Sequence, residues 1–307
     1  MAKTISNFNA LAGMSFTRSS TGTSVGLGGN IENNATNAPR IDHDPVTGRR
    51  KGLLFELAST NLFLNSDSPA TQSISVTAQE YSLSFYGTGT ITLSGASSAG
   101  PLVGVGENSK VEIQFTPSSG SLTLTLSGDV RHPQLEVGES STSYIPTAGS
   151  SATRARDNMT YMPLGFEYSE DKGTFVVDFE ISKSAGTTNR LIEFTNAGLD
   201  NRYSIRLSSQ DRMQFYSRST SATNFDITFP NNENGIIPKN QKCRAVLSYS
   251  NSQVHTCWNG KEVESRSAGG PPSGMDRINF GYENTILNIQ YIPESLTAEQ
   301  VKELSRV

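Results

Sequence analysis

The chain has 307 residues, more than one hydrophobic core ordinarily spans, so two domains are expected. Charged residues make up 18% and hydrophobic residues 35%, against about 25% and about 45–50% in an average globular protein; 42 Ser, 29 Thr and 27 Gly fill the space, which suits short strands and turns. A net charge of -4 with no basic cluster larger than Arg49-Arg50-Lys51 argues against phosphate-tracking nucleic-acid binding, and no apolar run approaches the ~18 residues of a membrane span.

Met1-Ala2-Lys3-Thr4-Ile5-Ser6 has no apolar signal region, so no signal peptide is expected. Residues 1–60 read as an extended arm: a Thr/Ser/Gly run (Thr17 to Gly29), an Asn-rich step (Asn30 to Asn37), a turn at Pro45-Val46-Thr47-Gly48, then the short apolar strand Gly52-Leu53-Leu54-Phe55-Glu56-Leu57. Such a segment is too poor in apolar residues to fold alone and needs a partner surface.

Residues 61–146 alternate with period two. Tyr81, Leu83 and Phe85 share a face, as do Val111, Ile113 and Phe115, and Leu122, Leu124 and Leu126. The spacing predicts half-buried antiparallel strands in a small β-sandwich. Residues 147–164 read as a linker, and 165–307 as a second strand-rich domain. There Phe175, Val177, Phe179 and Ile181 share a face, as do Tyr203, Ile205 and Leu207, with a turn at Ser208 to Arg212 before Met213 and Phe215. Hairpins are expected at Asn251 and at Asn259-Gly260, the latter a type I′ signal. Thr297-Ala298-Glu299-Gln300 predicts a capping box that opens a short terminal helix striped by Val301 and Leu304. The expected class is all-β: two antiparallel β-sandwiches behind an N-terminal arm, with one short C-terminal helix.

Several blocks carry a resemblance: Phe16 to Thr21, Pro39 to Gly48, Gly52 to Glu56, Thr60-Asn61-Leu62, Gln134 to Gly138, Thr142 to Thr147 and Thr153 to Asp157. In this order they resemble a segment of tailed-phage and prophage virion proteins, in which the intervening block is similar to a carbohydrate-binding-module-like jelly roll. The second half resembles laminin-G-like or concanavalin-A-like sandwiches, on Ala245 to Tyr249, Val254 to Trp258, Asn259-Gly260-Lys261, Ile278 to Gly281 and Leu296 to Gln300. That fold hosts lectins, glycan hydrolases and structural modules alike, so it does not choose among them.

Asp178 and Glu180 lie two apart on one strand and resemble the paired carboxylates of concanavalin-like glucanases, but Val176 occupies the next same-face position, where those enzymes carry a further acid. No nucleophile elbow, zinc helix or phosphate loop is present. His43 between Asp42 and Asp44 reads as a turn residue, because neighbours in a strand point in alternating directions and cannot converge on one ion. His132 and His255 have no visible partners, and Cys243 and Cys257 read as reduced and structural. No cofactor or metal is expected; calcium at Asp200-Asn201 or Asp276 is the alternative that the laminin-G-like resemblance implies.

Sugar recognition needs an aromatic ring beside planar polar groups. If Tyr203, Ile205, Leu207, Met213 and Phe215 point inward, then Ser204, Arg206, Gln214, Tyr216 and Arg218 point outward together and form the candidate glycan contact. Trp258, the one tryptophan, shares a face with Val254 and Thr256 and reads as core. The expected function is that of a bacteriophage virion protein, assembled in the host cytoplasm, exposed and tail-associated, recognising host-surface polysaccharide without catalysis. Its expected partners are other virion proteins, through residues 1–60, with a homotrimer through sandwich faces compatible and no heptads for a coiled-coil stalk. The alternatives are a capsid decoration or head-fibre protein docked by the arm, and a depolymerase using Asp178 and Glu180.

Overall fold

Alternation of apolar and polar residues builds two sheets from the middle of the chain. The computed structural model describes residues 3–4, 14–161, 169–181, 188–196, 201–220, 222–230, 232, 234–268, 270–281 and 284–307. One sheet has the order Leu102–Val103, Thr90–Gly95, Gly120–Ser127, Gln72–Val76, and the other Gly106–Phe115, Tyr81–Gly87, Val130–Val137. All of these pairs are antiparallel. Tyr81, Leu83 and Phe85 meet Ile91, Leu93, Leu122 and Leu124 in a core closed by Phe63 and Leu135. This is a β-sandwich held by the burial of one face of each sheet.

The chain forms two compact units. An inserted unit contains Arg18–Lys51 and Glu56–Arg156, and a terminal unit contains the Met14–Thr17 strand, Gly52–Phe55 and Asp157–Val307. These bounds differ from the expected arm, sandwich and linker. Over its described part, the segment expected as an arm is built into the fold. Gly22–Val25 pairs with Ile31–Asn34, Met14–Thr17 pairs with Asn158–Tyr161, and Phe55, Leu54 and Leu53 pair with Asn284, Thr285 and Ile286.

The physical reason is a buried polar network, drawn from the motif blocks that carry the virion resemblance. The Glu56 carboxylate meets Arg40 Nη1 at 2.8 Å and Arg154 Nη2 at 3.4 Å, and accepts from Ser143 N at 2.7 Å and Ser143 Oγ at 2.6 Å. Arg40 also donates to Thr23 O, and Arg154 to Leu57 O. The two guanidiniums outweigh the cost of burial and hold the Glu56 carboxyl well below the usual carboxylate range. Arg18, also buried, donates to the carbonyls of Ser20, Ala35 and Ala38 and so ties down the Asn-rich step. Asn61 donates to Pro133 O and Ile145 O and accepts from Phe63 N and Leu135 N. A segment without an apolar face is thus ordered by satisfied charges and amides.

The terminal unit is a second sandwich. One sheet has the order Glu264–Arg266, Val254–Trp258, Cys243–Tyr249, Gly173–Ile181, Asn284–Ile292, followed by Gly52–Phe55. The other runs Met14–Thr17, Asn158–Tyr161, Arg277–Phe280, Asn189–Thr195, Arg202–Leu207, Met213–Ser219, Ala222–Thr228. Between them Phe175 packs on Phe194 with ring centroids 4.0 Å apart, and Tyr203 meets Tyr249 edge-on. Trp258 is buried and its Nε1 donates to Asn234 O. Asn259 and Gly260 have φ of 46° and 67°, and Lys261 N donates to Trp258 O, as a type I′ turn requires. Cys257 lies opposite Val246, three positions from Cys243, so the two buried thiols sit on opposite faces of their strand pair. Burial pushes the Cys243 thiol up to about 11.

The capping box forms: Gln300 N donates to Thr297 Oγ1, and Thr297 N donates to Gln300 Oε1. It opens the Ala298–Leu304 helix, whose Val301 packs on Val176, Val246 and Cys257. Thr297→Ala is expected to cost about 1 kcal/mol, read as a lower urea midpoint for Trp258 fluorescence.

Candidate functional site

The seven-stranded sheet of the terminal unit turns an apolar face inward and a polar face outward. Across the outer face, one row of paired residues runs Ser15, Thr160, Asn279, Glu193, Ser204, Tyr216, Asp226. A second row sets Arg190 opposite Arg206, Gln214 and Thr228, and a third sets Arg202 opposite Arg218. The five candidates Ser204, Arg206, Gln214, Tyr216 and Arg218 therefore do share one face.

They do not play one role. Ser204 is fully buried and Gln214 is 8% exposed, so these two are not the outward contacts the alternation predicts. The cause is crowding by long neighbours: Gln214 Nε2 donates to Asp226 Oδ1 and Thr228 Oγ1, both at 2.8 Å, and its Oε1 accepts from Arg206 Nε at 2.8 Å. Gln214 is a support that fixes Arg206. The Arg206 guanidinium lies 3.7 Å from the centroid of the Tyr216 ring, a stacked cation–π contact. Its Nε is spent on Gln214, while the two Nη groups have no partner among the described residues. Arg218 likewise has none there.

Glu193 was not legible in the sequence. A bulge between Arg190 and Ile192 brings Arg190 and Glu193 to the same face, where Arg190 Nη1 meets Glu193 Oε1 at 2.8 Å. Glu193 is buried and lies beside the Ser204 hydroxyl, which has no hydrogen-bond partner among the described residues. In all, four arginines (Arg190, Arg202, Arg206, Arg218) stand against two carboxylates (Glu193, Asp226) on these paired positions. The face is cationic on an acidic chain.

No protein-family model matches the chain, and no curated protein matches it. Among solved structures it is similar to the CBM40 module of Ruminococcus gnavus IT-sialidase bound to α2,3-sialyllactose, at 12% identity and a TM-score of 0.39, over 45% of this chain and 84% of that one. It is also similar to the binding domain of botulinum neurotoxin DC in complex with rat synaptotagmin II (14%, TM-score 0.39, 48% of this chain and 39% of that one). A third is the NanB sialidase of Streptococcus pneumoniae (15%, TM-score 0.36, 44% and 24%).

The other sequence candidates fall into structural roles. Asp178 is buried under Arg244, whose Nη2 donates to it at 2.9 Å, with Lys242 Nζ at 3.5 Å. The same guanidinium reaches Leu304 O at the end of the helix and Arg306 O just past it, so this carboxylate anchors the helix terminus and is not free to act beside Glu180. Asp42 accepts from Val25 N, His43 Nδ1 contacts Val25 O, and Asp44 Oδ1 accepts from Val46 N, Thr47 N and Thr47 Oγ1, which makes an Asx turn. Of the calcium candidates, Asp200 lies outside the described residues, Asn201 Oδ1 accepts from Thr220 N, and Asp276 pairs with Arg277. Among the described residues no group of three or more His, Cys, Asp or Glu comes together to hold a metal.

Proposed function

We propose that the protein is a bacteriophage virion protein, surface-exposed and tail-associated, that recognises host-surface glycan through the outer face of its seven-stranded sheet, without a covalent step. The observation that carries the glycan reading is Arg206: a guanidinium stacked on Tyr216, fixed by Gln214, with both Nη groups unspent. A planar fork of this kind pairs with a carboxylate through two parallel hydrogen bonds, so the favoured glycan carries acidic sugars. The excess of arginine over acid on the face points the same way. Single contacts on an open face are weak, and repetition over many copies on a particle supplies avidity. The virion part of the reading is supported by the ordered resemblance blocks, which serve together as one buried scaffold. A decoration protein docked by a free arm is less favoured, because residues 18–51 are spent within their own unit.

Affinity electrophoresis in gels containing alginate or polygalacturonate tests the glycan reading. Salt-sensitive retardation of the wild type is expected, with loss in Arg206→Ala/Tyr216→Ala. No retardation by either polymer, or equal retardation of the variant, contradicts it. Inhibition of phage adsorption by the free protein, lost in the same variant, tests the virion role.

A further inference from the structure

Both strands beside Tyr86 in the inserted unit leave residues out of the ladder. On one side Gly106 opposes Gly87 and Val111 opposes Phe85, so residues 107–110 span a single position. On the other, Arg131 opposes Tyr86 and Gln134 opposes Ser84, so His132 and Pro133 span another. Three of the residues left out, Glu107 and Asn108 from one bulge and His132 from the other, line a cavity of about 140 Å3, together with the paired residues Arg131 and Tyr86. Bulges re-aim side chains in this way.

Further observations mark the cavity as a built site. His132 has φ of 49°, a region few residues other than glycine adopt, and its ring is held between Tyr144, at 4.5 Å, and Tyr86, edge-on at 6.1 Å. Burial lowers the His132 pKa, so the ring is neutral at neutral pH and can both donate and accept. Gly29, at φ 79°, closes the cavity from the 26–31 loop: a Cβ there would fall 2.3 Å from Pro45 O and 3.3 Å from Asn108 Nδ2. Only glycine lets this loop lie against the Pro45 carbonyl while facing Asn108.

The charge at the cavity selects the ligand. Arg131 is shared by two carboxylates, Glu107 and Asp129, so this cluster carries one net negative charge. Lys110, which also lies near Tyr86, turns its Nζ to the carbonyls of Ser141 and Thr142. An anion is disfavoured there. A hydroxyl-rich neutral ring is favoured, since amides and carboxylates bind paired hydroxyls and the aromatic rings offer apolar surface.

We propose that this cavity is a second binding site, for one neutral pyranose, so that the chain carries two glycan sites of opposite charge preference. The site stands on its own geometry and does not rest on the outer-face reading.

Saturation-transfer NMR on the intact chain tests it, with methyl glycosides of glucose, galactose, mannose and N-acetylglucosamine as probes and glucuronate as the charged competitor. At least one neutral glycoside is expected to bind, not displaced by glucuronate. Asn108→Ala and Glu107→Gln should each weaken it about tenfold. Both alter polar side chains at the bulge, outside the sandwich core, and far-UV circular dichroism checks their folding. Arg206→Glu should leave this signal unchanged. Absence of binding by all four neutral glycosides overturns the proposal, as does wild-type binding in both cavity variants or loss of the signal in Arg206→Glu.

Discussion

Glu56→Ala is expected to cost the inserted unit about 3–5 kcal/mol, because it removes the carboxylate that Arg40 and Arg154, both fully buried, share. That is a large share of the roughly 5–15 kcal/mol that holds a domain together. The one tryptophan, Trp258, belongs to the terminal unit, so its fluorescence reports that unit alone. Urea melts followed by tyrosine emission and far-UV circular dichroism should therefore lose the transition of the inserted unit, while the Trp258 transition stays. An unchanged tyrosine midpoint would contradict the network's role. The pH dependence has a definite sign. The folded Glu56 pKa lies below its unfolded value of about 4.3, so its stabilisation is complete above that value and is lost as pH falls toward the folded pKa. Burial raises Glu136, which works in the opposite sense, so the informative comparison is wild type against Glu56→Gln. The variant's stability should be lower at neutral pH and flatter below about pH 4.

On the outer face of the seven-stranded sheet, Arg206→Glu is expected to abolish binding to carboxylated polysaccharide. Arg206→Ala should weaken it about tenfold or more, and Arg206→Lys should fall between wild type and alanine. Lysine keeps the charge but loses the planar stack on Tyr216 and the Nε bond to Gln214, so the series separates charge from geometry. The urea midpoint should move little, because Arg206 is a half-buried side chain outside the core. Equal binding by all three variants would remove Arg206 from the site.

The strands were legible wherever one face is apolar. Tyr81-Leu83-Phe85 and Phe175-Val177-Phe179-Ile181 alternate because they cover a core, and the turn at Asn259-Gly260 and the cap at Thr297 have local chemistry that context did not override. The order of residues 18–56 is not legible because it comes from Arg18, Arg40 and Glu56, and charges in a sequence look the same whether they face water or each other. The pairing of Glu56 with Arg154 spans almost a hundred positions, which no local pattern reveals. On the candidate face, alternation gave the side of the sheet on which Ser204 and Gln214 lie, but not their burial, which depends on the length of neighbouring side chains. The bulge that adds Arg190 to Glu193 is a backbone irregularity with no glycine to mark it.

The chain's route has a consequence for its synthesis. The inserted unit is complete once residue 156 has been made, whereas Leu53 pairs with Ile286, more than two hundred positions after it. At about 5–20 residues per second, the apolar run Leu53-Leu54-Phe55 waits on the order of ten seconds or longer for its partner strand. During that interval a nascent chain carries one finished domain and one bare sheet edge. Crowded ribosomes on one message would hold many such edges close together, so yield should depend on how fast translation runs and on which chaperones shield the edge until the Asn284–Ile292 strand has been made.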